Sequence, residues 1–459
     1  MSDQNLFTEF EAVSAKAWKQ KIQVDLKGAD YNDTLIWESP EGIHIKPFYH
    51  SDDLEGKFLV PPKASKKWSI VQFLNARDAN KTNLKAREAL DKGAEGLFLT
   101  IADSKIDPSA LLAHIDLETV PIYFQFQFLA LDYLKSVIDL ANEKEVKFHL
   151  NIDIIGNLAR TGNWFHNMDK DHKILKETLR YSQNFTGVSV AGVGMDLYQN
   201  AGGNSVQQLA YGLAHAHEYL NWARDEENLP ICFHITVGGN YFMEIAKIRA
   251  FQLLWKTLSS EYSHAGEGHI LTQPSKRNKT LYDYNVNMLR TTTECMSAIL
   301  GGADAVCNLP YDALFHHENP FGERISRNQL LILKRESYFE KVANPADGSY
   351  YIEELTRQLA EKALALFKSI EKGGGFLKQL KNHTLQKKIK ESAQREQQRF
   401  SEGQEVLVGT NKYRNAEDRM QGQLDRSPFR KMQKRKTLLE PILERRLAAD
   451  VEQKRLRDE

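Results

Sequence analysis

The stretch SIVQFLNARDANKTNLKAREALDKGAEGLFLTI, residues 69–101, contains one complete strand–helix–strand pattern. Its two ends, Ser69–Leu74 and Gly96–Ile101, are short apolar runs, which is typical of buried strands. Between them, Asn80–Lys92 has its apolar residues at helical spacing. A helix that joins two strands in this way makes them parallel neighbours in one sheet. This stretch therefore predicts an α/β protein.

The same alternation continues towards the C-terminus. Further apolar runs predict strands at Pro121–Phe126, Lys147–Ile152, Gly187–Val190, Ile231–Thr236, His269–Leu271 and Ala303–Asn308. The amphipathic stretches between them predict helices at Ala130–Glu143, Lys170–Ser182, Val206–Asp225, Tyr241–Leu258 and Tyr282–Leu300. Eight strands that alternate with helices favour a closed TIM (β/α)8 barrel. An open doubly wound sheet is the structural alternative.

The residues before the first strand do not follow this repeat, and we assign residues 1–55 to an N-terminal arm. Phe7, Phe10 and Trp18 have roughly helical spacing in this arm. Residues 35–45 then predict a small hairpin, because two short apolar runs flank a turn that contains proline and glycine. An arm rich in aromatic residues packs on its own barrel or on another subunit, and both possibilities remain open at this point.

Residues 56–343 form the predicted barrel, and residues 344–459 form a helical C-terminal extension. Within the extension we predict helices at Glu354–Lys372 and Leu385–Phe400 and a short extended piece at Leu407–Tyr413. From Pro428 onward the chain is dominated by Lys, Arg, Glu and Leu. This composition predicts a solvated helical tail, with a partner-binding helix as the alternative.

The composition excludes several classes of protein. The chain has 459 residues, with 61 basic and 61 acidic side chains, so we expect neither nucleic acid nor a membrane surface as its partner. No apolar run is long enough to span a bilayer, and the N-terminus does not resemble a secretory signal. Cys232, Cys295 and Cys307 are widely spaced, which predicts reduced buried thiols in a cytoplasmic protein rather than disulfides or a zinc site.

Several segments, taken together, resemble the methylmalonyl-CoA mutase family. The segment Arg324–Thr356, RISRNQLLILKRESYFEKVANPADGSYYIEELT, is similar to that family's RIARNTQLILQEE followed by DPWGGSYYVEELT. Trp68–Phe73 stands where the family has WTIRQY, and Gly239–Ala250 looks like its GxNFFMEVAKLRAAR. Val408–Tyr413 resembles its VGVNKY. These matches occur in the family order, and they extend over most of the chain.

This resemblance implies a fold and a reaction. The fold is a TIM barrel that, in an active subunit, encloses an acyl-CoA along its axis. The reaction is the interconversion of methylmalonyl-CoA and succinyl-CoA by radical chemistry, for which adenosylcobalamin supplies the radical. Active full-length subunits also carry a C-terminal cobalamin-binding domain with a D-x-H-x-x-G motif.

The sequence departs from the family at the positions that carry this chemistry. None of its 14 histidines has an aspartate two residues earlier, so we expect no cobalamin-binding domain and no cofactor bound by this chain. Gly194 stands at the position of the histidine in the family's GYHMQEAG segment, and Asn151 at the position of the glutamine in QND. The substrate-binding PPQPSMR segment is missing, and Arg160 is near that position without matching it. His215 and His217 are further along the chain, and we interpret them as surface or interhelical residues.

These departures favour the non-catalytic small (beta) subunit of a heterodimeric mutase. Asp25–Tyr49 resembles the segment that leads into the barrel in small subunits. The expected partner is a catalytic large subunit that holds adenosylcobalamin, and Phe7, Phe10 and Trp18 are candidates for the interface. One alternative is an active acyl-CoA mutase barrel whose cobalamin-binding domain is a separate chain. Another is a stand-alone binding protein that uses the barrel cavity for a different ligand.

Overall fold

Eight parallel strands close into a barrel in their order along the chain. This is a computed structural model, and it describes residues 9–54, 67–142, 145–224, 228–263, 265–342, 344–429 and 435–459. The strands are β1 (Ser69–Ala76), β2 (Gly96–Ile101), β3 (Ile122–Phe126), β4 (Phe148–Ile152), β5 (Val188–Gly194), β6 (Leu229–Val237), β7 (Ala265–Pro274) and β8 (Ala305–Cys307). The last strand pairs with the first through Ala305 and Ser69. This pairing confirms the predicted TIM barrel and excludes an open sheet.

A layer of helices surrounds the barrel, and the main apolar core lies between the two layers. Its helices are Ala79–Asp91, Pro108–Leu111, Leu131–Ile138, Ile154–Thr161, Met168–Ser182, Asp196–Asn200, Ser205–Trp222, Tyr241–Ser259, Val286–Gly301 and Pro320–Leu331, with a π-helical turn at Ile332–Glu336. Several begin at a polar residue whose side chain accepts a hydrogen bond from the first turn, as Asp78, Asn167 and Asn240 do. Such caps satisfy backbone N–H groups that have no partner within the helix.

Several strands differ in length from the prediction, and β7 and β8 are two of them. The strand predicted at His269–Leu271 is longer, because its backbone pairs with β6 from Ala265 to Pro274. The strand predicted at Ala303–Asn308 is shorter. Asn308 ends it, because its side chain accepts from the N–H of Leu309 and donates to the carbonyl of Ser326. A period of apolar residues cannot reveal either effect.

The N-terminal arm contains helices Ala15–Asp25 and Tyr31–Leu35, a single 3-10 turn at Ser51–Asp53, and a hairpin. The hairpin pairs Trp37–Glu38 with His44–Ile45, which confirms the predicted hairpin. Ile43 and Ile45 are buried in the main core, so this part of the arm packs on its own barrel. Helix Ala15–Asp25 has no buried residue.

The C-terminal extension begins with helices Tyr350–Lys372, Phe376–Lys381 and Thr384–Ser401, which confirms both predicted helices. The extended piece predicted at Leu407–Tyr413 is wrong. Val408 and Lys412 instead flank a turn in which Gly409 has a φ of +82°. That left-handed conformation favours glycine and reverses the chain.

The solvated helical tail predicted from Pro428 onward is also wrong. Of the described residues from 435 onward, 435–448 have no regular secondary structure and Ala449–Asp458 is helical. Leu439, Ile442 and Leu447 of the irregular part are buried. Their backbone N–H groups donate to carbonyls of the loops and helices that surround the barrel, and these bonds replace those of a helix. No helix among the described residues is long and apolar enough to cross a membrane.

Candidate functional site

The N-terminal end of the barrel interior is closed by three stacked rings. Tyr123 and His149 have ring centroids 4.7 Å apart, and His149 and His269 have centroids 4.3 Å apart. The Tyr123 hydroxyl also lies 2.8 Å from Nε2 of His269. Since β3 and β7 lie on opposite sides of an eight-stranded barrel, this contact crosses the barrel axis. Burial, and then the neighbouring His269, lowers the pKa of His149 well below its ordinary value, so its imidazole is neutral.

The middle of the barrel interior is filled by apolar side chains. They form a cluster of Val71, Phe98, Tyr123, Cys232, Leu271, Ala305 and Cys307. Phe98 on β2 contacts His234 on β6, with ring centroids 5.5 Å apart, so side chains meet across the axis at this level too. Burial raises the pKa of Cys307 to about 12, and it also raises that of Cys232. These free buried thiols are protonated at neutral pH and are poor nucleophiles.

The C-terminal end is where (β/α)8 barrels place their active sites, and here β5 ends at Gly194. A Cβ atom at this glycine would lie 2.9 Å from Asp196 Oδ1, 3.4 Å from Asp153 Oδ2 and 3.6 Å from Arg160 Nη2. The space above Gly194 is therefore already occupied by charged groups. Its N–H donates to Asp153 Oδ2 at 2.9 Å.

Arg160 holds two carboxylates at this end of the barrel. Its Nη2 donates to both carboxylate oxygens of Asp196 at 2.9 Å, and its Nη1 donates to Glu444. Burial works against ionisation of Asp196, but Arg160, His234 and Lys276 together lower the pKa of this carboxyl below its ordinary value. The sequence placed Arg160 near the missing substrate-binding arginine, and the structure places it in contacts within its own chain.

Asn151 on β4 also makes its side-chain hydrogen bond within this chain. Its φ is +48°, and its Nδ2 donates to the carbonyl of Phe124 on the neighbouring β3 at 3.0 Å. The Cα of Asn151 would lie 2.7 Å from a Cβ at Gly192, so β4 and β5 approach closely here. A side-chain amide that already donates to a backbone carbonyl of the neighbouring strand is poorly placed to bind a ligand.

A buried network around Asp153 was missed by the sequence analysis. His215 is fully buried, with Nε2 2.9 Å from Asp153 Oδ1 and Nδ1 3.0 Å from the Tyr198 hydroxyl. The Tyr219 hydroxyl donates to the same Asp153 oxygen at 2.8 Å. Burial opposes ionisation of Asp153, but His215 and the N–H groups of Gly194 and Gly156 lower its pKa below the ordinary value. Asp153 caps the helix that follows β4, which is the one local signal that could have indicated it.

His217 lies between elements, as predicted, with Nδ1 2.9 Å from Glu371. Two of the predicted interface residues lie on the surface of the arm. Phe10 is 74% exposed and Trp18 is 49% exposed, and Trp18 contacts Phe48 edge to face at 6.3 Å. Phe7 lies outside the described residues.

The described part of the chain contains no group of three or more His, Cys, Asp or Glu side chains arranged to hold a metal ion. Taken together, the structure defines a (β/α)8 barrel whose interior is crossed by side-chain contacts at two levels and whose C-terminal end carries a network of hydrogen bonds and ion pairs.

The chain belongs to the methylmalonyl-CoA mutase family. Residues 100–457 match the family described as methylmalonyl-CoA mutase. A Porphyromonas gingivalis protein described as methylmalonyl-CoA mutase small subunit is 32% identical over 443 residues, which cover 90% of this chain and 71% of that protein. The family resemblance seen in the sequence is thereby confirmed.

Longer relatives match over a smaller share of their length. The methylmalonyl-CoA mutase of Cereibacter sphaeroides is 29% identical over 88% of this chain, which spans 64% of that protein. The human mitochondrial enzyme is 28% identical over 86% of this chain, which spans 60% of its length. This chain therefore spans less than two thirds of these two relatives. Among solved structures, dihydropteroate synthase from Thermus thermophilus aligns with 58% of this chain and 94% of its own, at 13% identity and a TM-score of 0.33.

Proposed function

We propose that this chain is the non-catalytic small subunit of an adenosylcobalamin-dependent methylmalonyl-CoA mutase, and that it stabilises a catalytic large subunit. The observation that carries this proposal is the environment of Gly194. The family resemblance expects a histidine at this position, and here a Cβ atom would already lie 2.9 Å from the paired carboxylate of Asp196. Any side chain at this position therefore requires a shift of the Asp196 carboxylate, which pairs with Arg160.

The filled interior supports the same proposal. An acyl-CoA that passes along the barrel axis needs a continuous channel. Contacts between opposite strands, Tyr123 with His269 and Phe98 with His234, cross that axis at two levels. Moving these rings aside would break packing that contributes to the stability of the barrel.

The residues of this chain do not fit a cobalamin. None of its histidines belongs to a D-x-H-x-x-G motif. At the C-terminal end of the barrel, residues 438–447 hydrogen-bond to the loops after β4, β5 and β7, and they cover that part of the rim. We therefore expect the cofactor in the partner subunit.

A large subunit is the partner that we propose, because the Porphyromonas gingivalis relative carries the description small subunit. We propose that the N-terminal arm provides the surface that binds this large subunit. Helix Ala15–Asp25 has no buried residue, and Phe10, Val13, Trp18 and Val24 are exposed around it. Exposed aromatic side chains that form a group are typical of protein interfaces.

Coexpression with a methylmalonyl-CoA mutase large subunit tests this proposal. We expect a stable 1:1 complex in size-exclusion chromatography, with all turnover dependent on the large subunit. The isolated chain with adenosylcobalamin and methylmalonyl-CoA should show no turnover, and Gly194→His should not create any. Absence of a complex would refute the proposed partner. Turnover by this chain with a separately supplied cobalamin-binding domain would favour the active-barrel alternative.

Trp18→Ala tests the arm as the interface. Truncating an exposed aromatic anchor should weaken the complex at least about tenfold while the thermal stability of the isolated chain stays unchanged. Val408→Ala is a matched control, because Val408 is 43% exposed but lies outside the arm. Equal dissociation constants for wild type and Trp18→Ala would remove the arm helix from the interface.

A further inference from the structure

A pocket of about 220 Å³ lies at the N-terminal end of the barrel. Its walls come from three segments: the residues just before β1, the end of helix Val286–Gly301 with the turn before β8, and the loop after the π-helical turn. None of the described residues that line it belongs to a barrel strand. This apolar pocket, as we call it below, is therefore distinct from the contacts inside the barrel.

The walls of the apolar pocket run from an open rim to a buried floor. Trp68, Ile299 and Ala303 form the floor, with exposed fractions of 4%, 8% and 6%. Tyr338 and Val342 also line the pocket but are 63% and 56% exposed. A molecule that entered from the rim would bury its apolar surface against this floor, which is the main favourable term in the binding of small ligands.

The loop that forms the outer wall has an unusual backbone. It follows the π-helical turn Ile332–Glu336, and π turns occur frequently at functional sites. Tyr338 has a φ of +58°, a left-handed conformation that is costly for a bulky side chain. The N–H of Phe339 donates to the carbonyl of Leu333 at 3.1 Å, which ties the loop to the π-helical turn. Residues held in such conformations cluster at ligand sites, so this wall favours a binding role.

The charges around the apolar pocket favour a neutral ligand. Trp68 lines both this pocket and the larger cavity at the same end, whereas Lys334 and Glu95 line only the larger cavity. Nζ of Lys334 lies 4.7 Å from the centroid of the Trp68 ring and donates to Glu95 at 2.6 Å. The charged residues that line the apolar pocket are Lys67 and Asp304. Their opposite charges leave no net charge to compensate an ion that loses its water.

The volume of the apolar pocket sets the size of its ligand. An apolar cavity of about 150 Å³ binds benzene, so a pocket of about 220 Å³ has room for a benzene ring with a short substituent. Ser337 contributes a hydroxyl to the wall, and a hydroxyl can donate to an oxygen of the ligand.

We propose that the apolar pocket binds a neutral small molecule with an apolar body the size of a substituted benzene and one oxygen that accepts from Ser337. Such a site goes beyond the proposed partner role and does not require a large subunit, because its walls come from this chain. Its test therefore uses the isolated full chain, and size-exclusion chromatography with a large subunit reports separately on the proposed function.

Acetophenone is the probe, and the indole ¹⁵N–¹H resonance of Trp68 is the readout. Its assignment comes from its loss in Trp68→Phe. We expect a saturable shift with a dissociation constant on the order of 1 mM or below, while the resonance of Trp255, which lies outside the apolar pocket, stays unchanged. Benzoate has a similar size but carries a charge, and it should bind at least about tenfold more weakly.

Three variants separate binding in the apolar pocket from binding elsewhere on the surface. Val342→Phe narrows the rim and Ala303→Leu fills the floor, so each should weaken acetophenone binding at least about fivefold. Ser337→Ala removes the hydroxyl and should weaken it about two- to tenfold. Leu84→Phe is the matched control for the rim variant, because Leu84 is 64% exposed and lies outside the pocket, and it should bind as wild type does.

The absence of a saturable Trp68 shift up to about 20 mM acetophenone would overturn the proposal. Wild-type affinity in both Val342→Phe and Ala303→Leu would also overturn it, because the probe would then bind elsewhere. Equal affinity for benzoate and acetophenone would overturn the neutral class of ligand, and an unchanged dissociation constant in Ser337→Ala would overturn the hydrogen bond to its oxygen. Thermal unfolding of each variant confirms that the chain is folded before binding is compared.

Discussion

The two ends of this barrel are held by different kinds of interaction. At the N-terminal end, Tyr123, His149 and His269 stack above a cavity of about 860 Å³ that opens to solvent. At the C-terminal end, ion pairs join Arg160 to Asp196 and to Glu444, which comes from a segment far along the chain. Stacked neutral rings lose packing and area when they are disturbed. When a buried charge loses its partner, the free-energy cost of its desolvation is no longer compensated. Variants at the C-terminal end should therefore have the larger effects.

The largest effect should come from the buried ion pair between Lys279 and Glu294. Nζ of Lys279 lies 2.7–2.8 Å from both Glu294 oxygens, and both side chains are almost completely buried. Glu294→Gln leaves the ammonium group without its counter-charge and should lower the free energy of unfolding by about 3–5 kcal/mol. Urea unfolding measures this. The double variant Lys279→Met with Glu294→Leu should lie much closer to wild type, and an equal loss in both would contradict the charge argument.

The next effect concerns the crowded end of β5. Gly194→Ala places a Cβ atom 2.9 Å from Asp196 Oδ1, and the resulting shift of a paired carboxylate should cost about 1–3 kcal/mol. Gly194→His should cost more, because its larger side chain displaces the ion pair with Arg160. Thermal unfolding of both variants checks the order. A Gly194→His protein as stable as wild type would show that space for the imidazole exists.

A pH effect should distinguish the N-terminal end. Burial lowers the pKa of His149 well below its ordinary value, with His269 adding to this effect and Asp304 opposing it, and Tyr123 stacks on the same ring. His149 is then neutral when folded but binds a proton when unfolded below a pH of about 6.5, so stability is lost as the pH falls through this value.

One such group should cost about 1.2 kcal/mol between pH 7 and 5.5. His149→Phe keeps a ring in the stack and should remove this part of the pH dependence, as measured by urea unfolding at both values. His234 at the middle level of the barrel interior, whose pKa burial also lowers, provides the comparison: His234→Phe should remove a smaller part. An unchanged pH dependence in His149→Phe would show that its imidazole is charged in the folded chain.

The smallest effect should come from the hydroxyl in the ring stack. Tyr123→Phe keeps the stacking on His149 and removes only the hydrogen bond to Nε2 of His269, which is 2.8 Å long. The loss should be about 0.5–1 kcal/mol, and differential scanning calorimetry can resolve it. A loss as large as that of Glu294→Gln would mean that both ends depend on polar groups to the same degree.

Local sequence patterns predicted much of the barrel. The strand Gly96–Ile101 has the predicted bounds, because all of its residues are buried and none interrupts the apolar run. Six helices around the barrel were also predicted, since their apolar faces pack on it. The helices not predicted are Pro108–Leu111, Ile154–Thr161, Asp196–Asn200 and Pro320–Leu331. The irregular course of residues 438–447 was not predicted either. The burial of Leu439 and Ile442 depends on carbonyls of Gly162 and Ala159, and no local period contains information about such distant partners.

The candidate site shows the same division. The family resemblance predicted that Gly194 and Asn151 stand at catalytic positions of the family, and this stays a prediction. The pairing of Arg160 with Asp196 and Glu444 could not be predicted, because its three members come from different parts of the chain and meet only when the barrel has closed.

The sequence by itself determined the order of strands and helices, the family, and the residue types at positions 151 and 194. It could do so because these depend on short-range periodicity and on motifs that lie within a few residues. Only the tertiary structure decided that side chains meet across the barrel axis and that residues 438–447 cover part of the C-terminal rim. Both depend on side chains from opposite strands or distant segments, which come within contact distance only through the closure of β1 on β8.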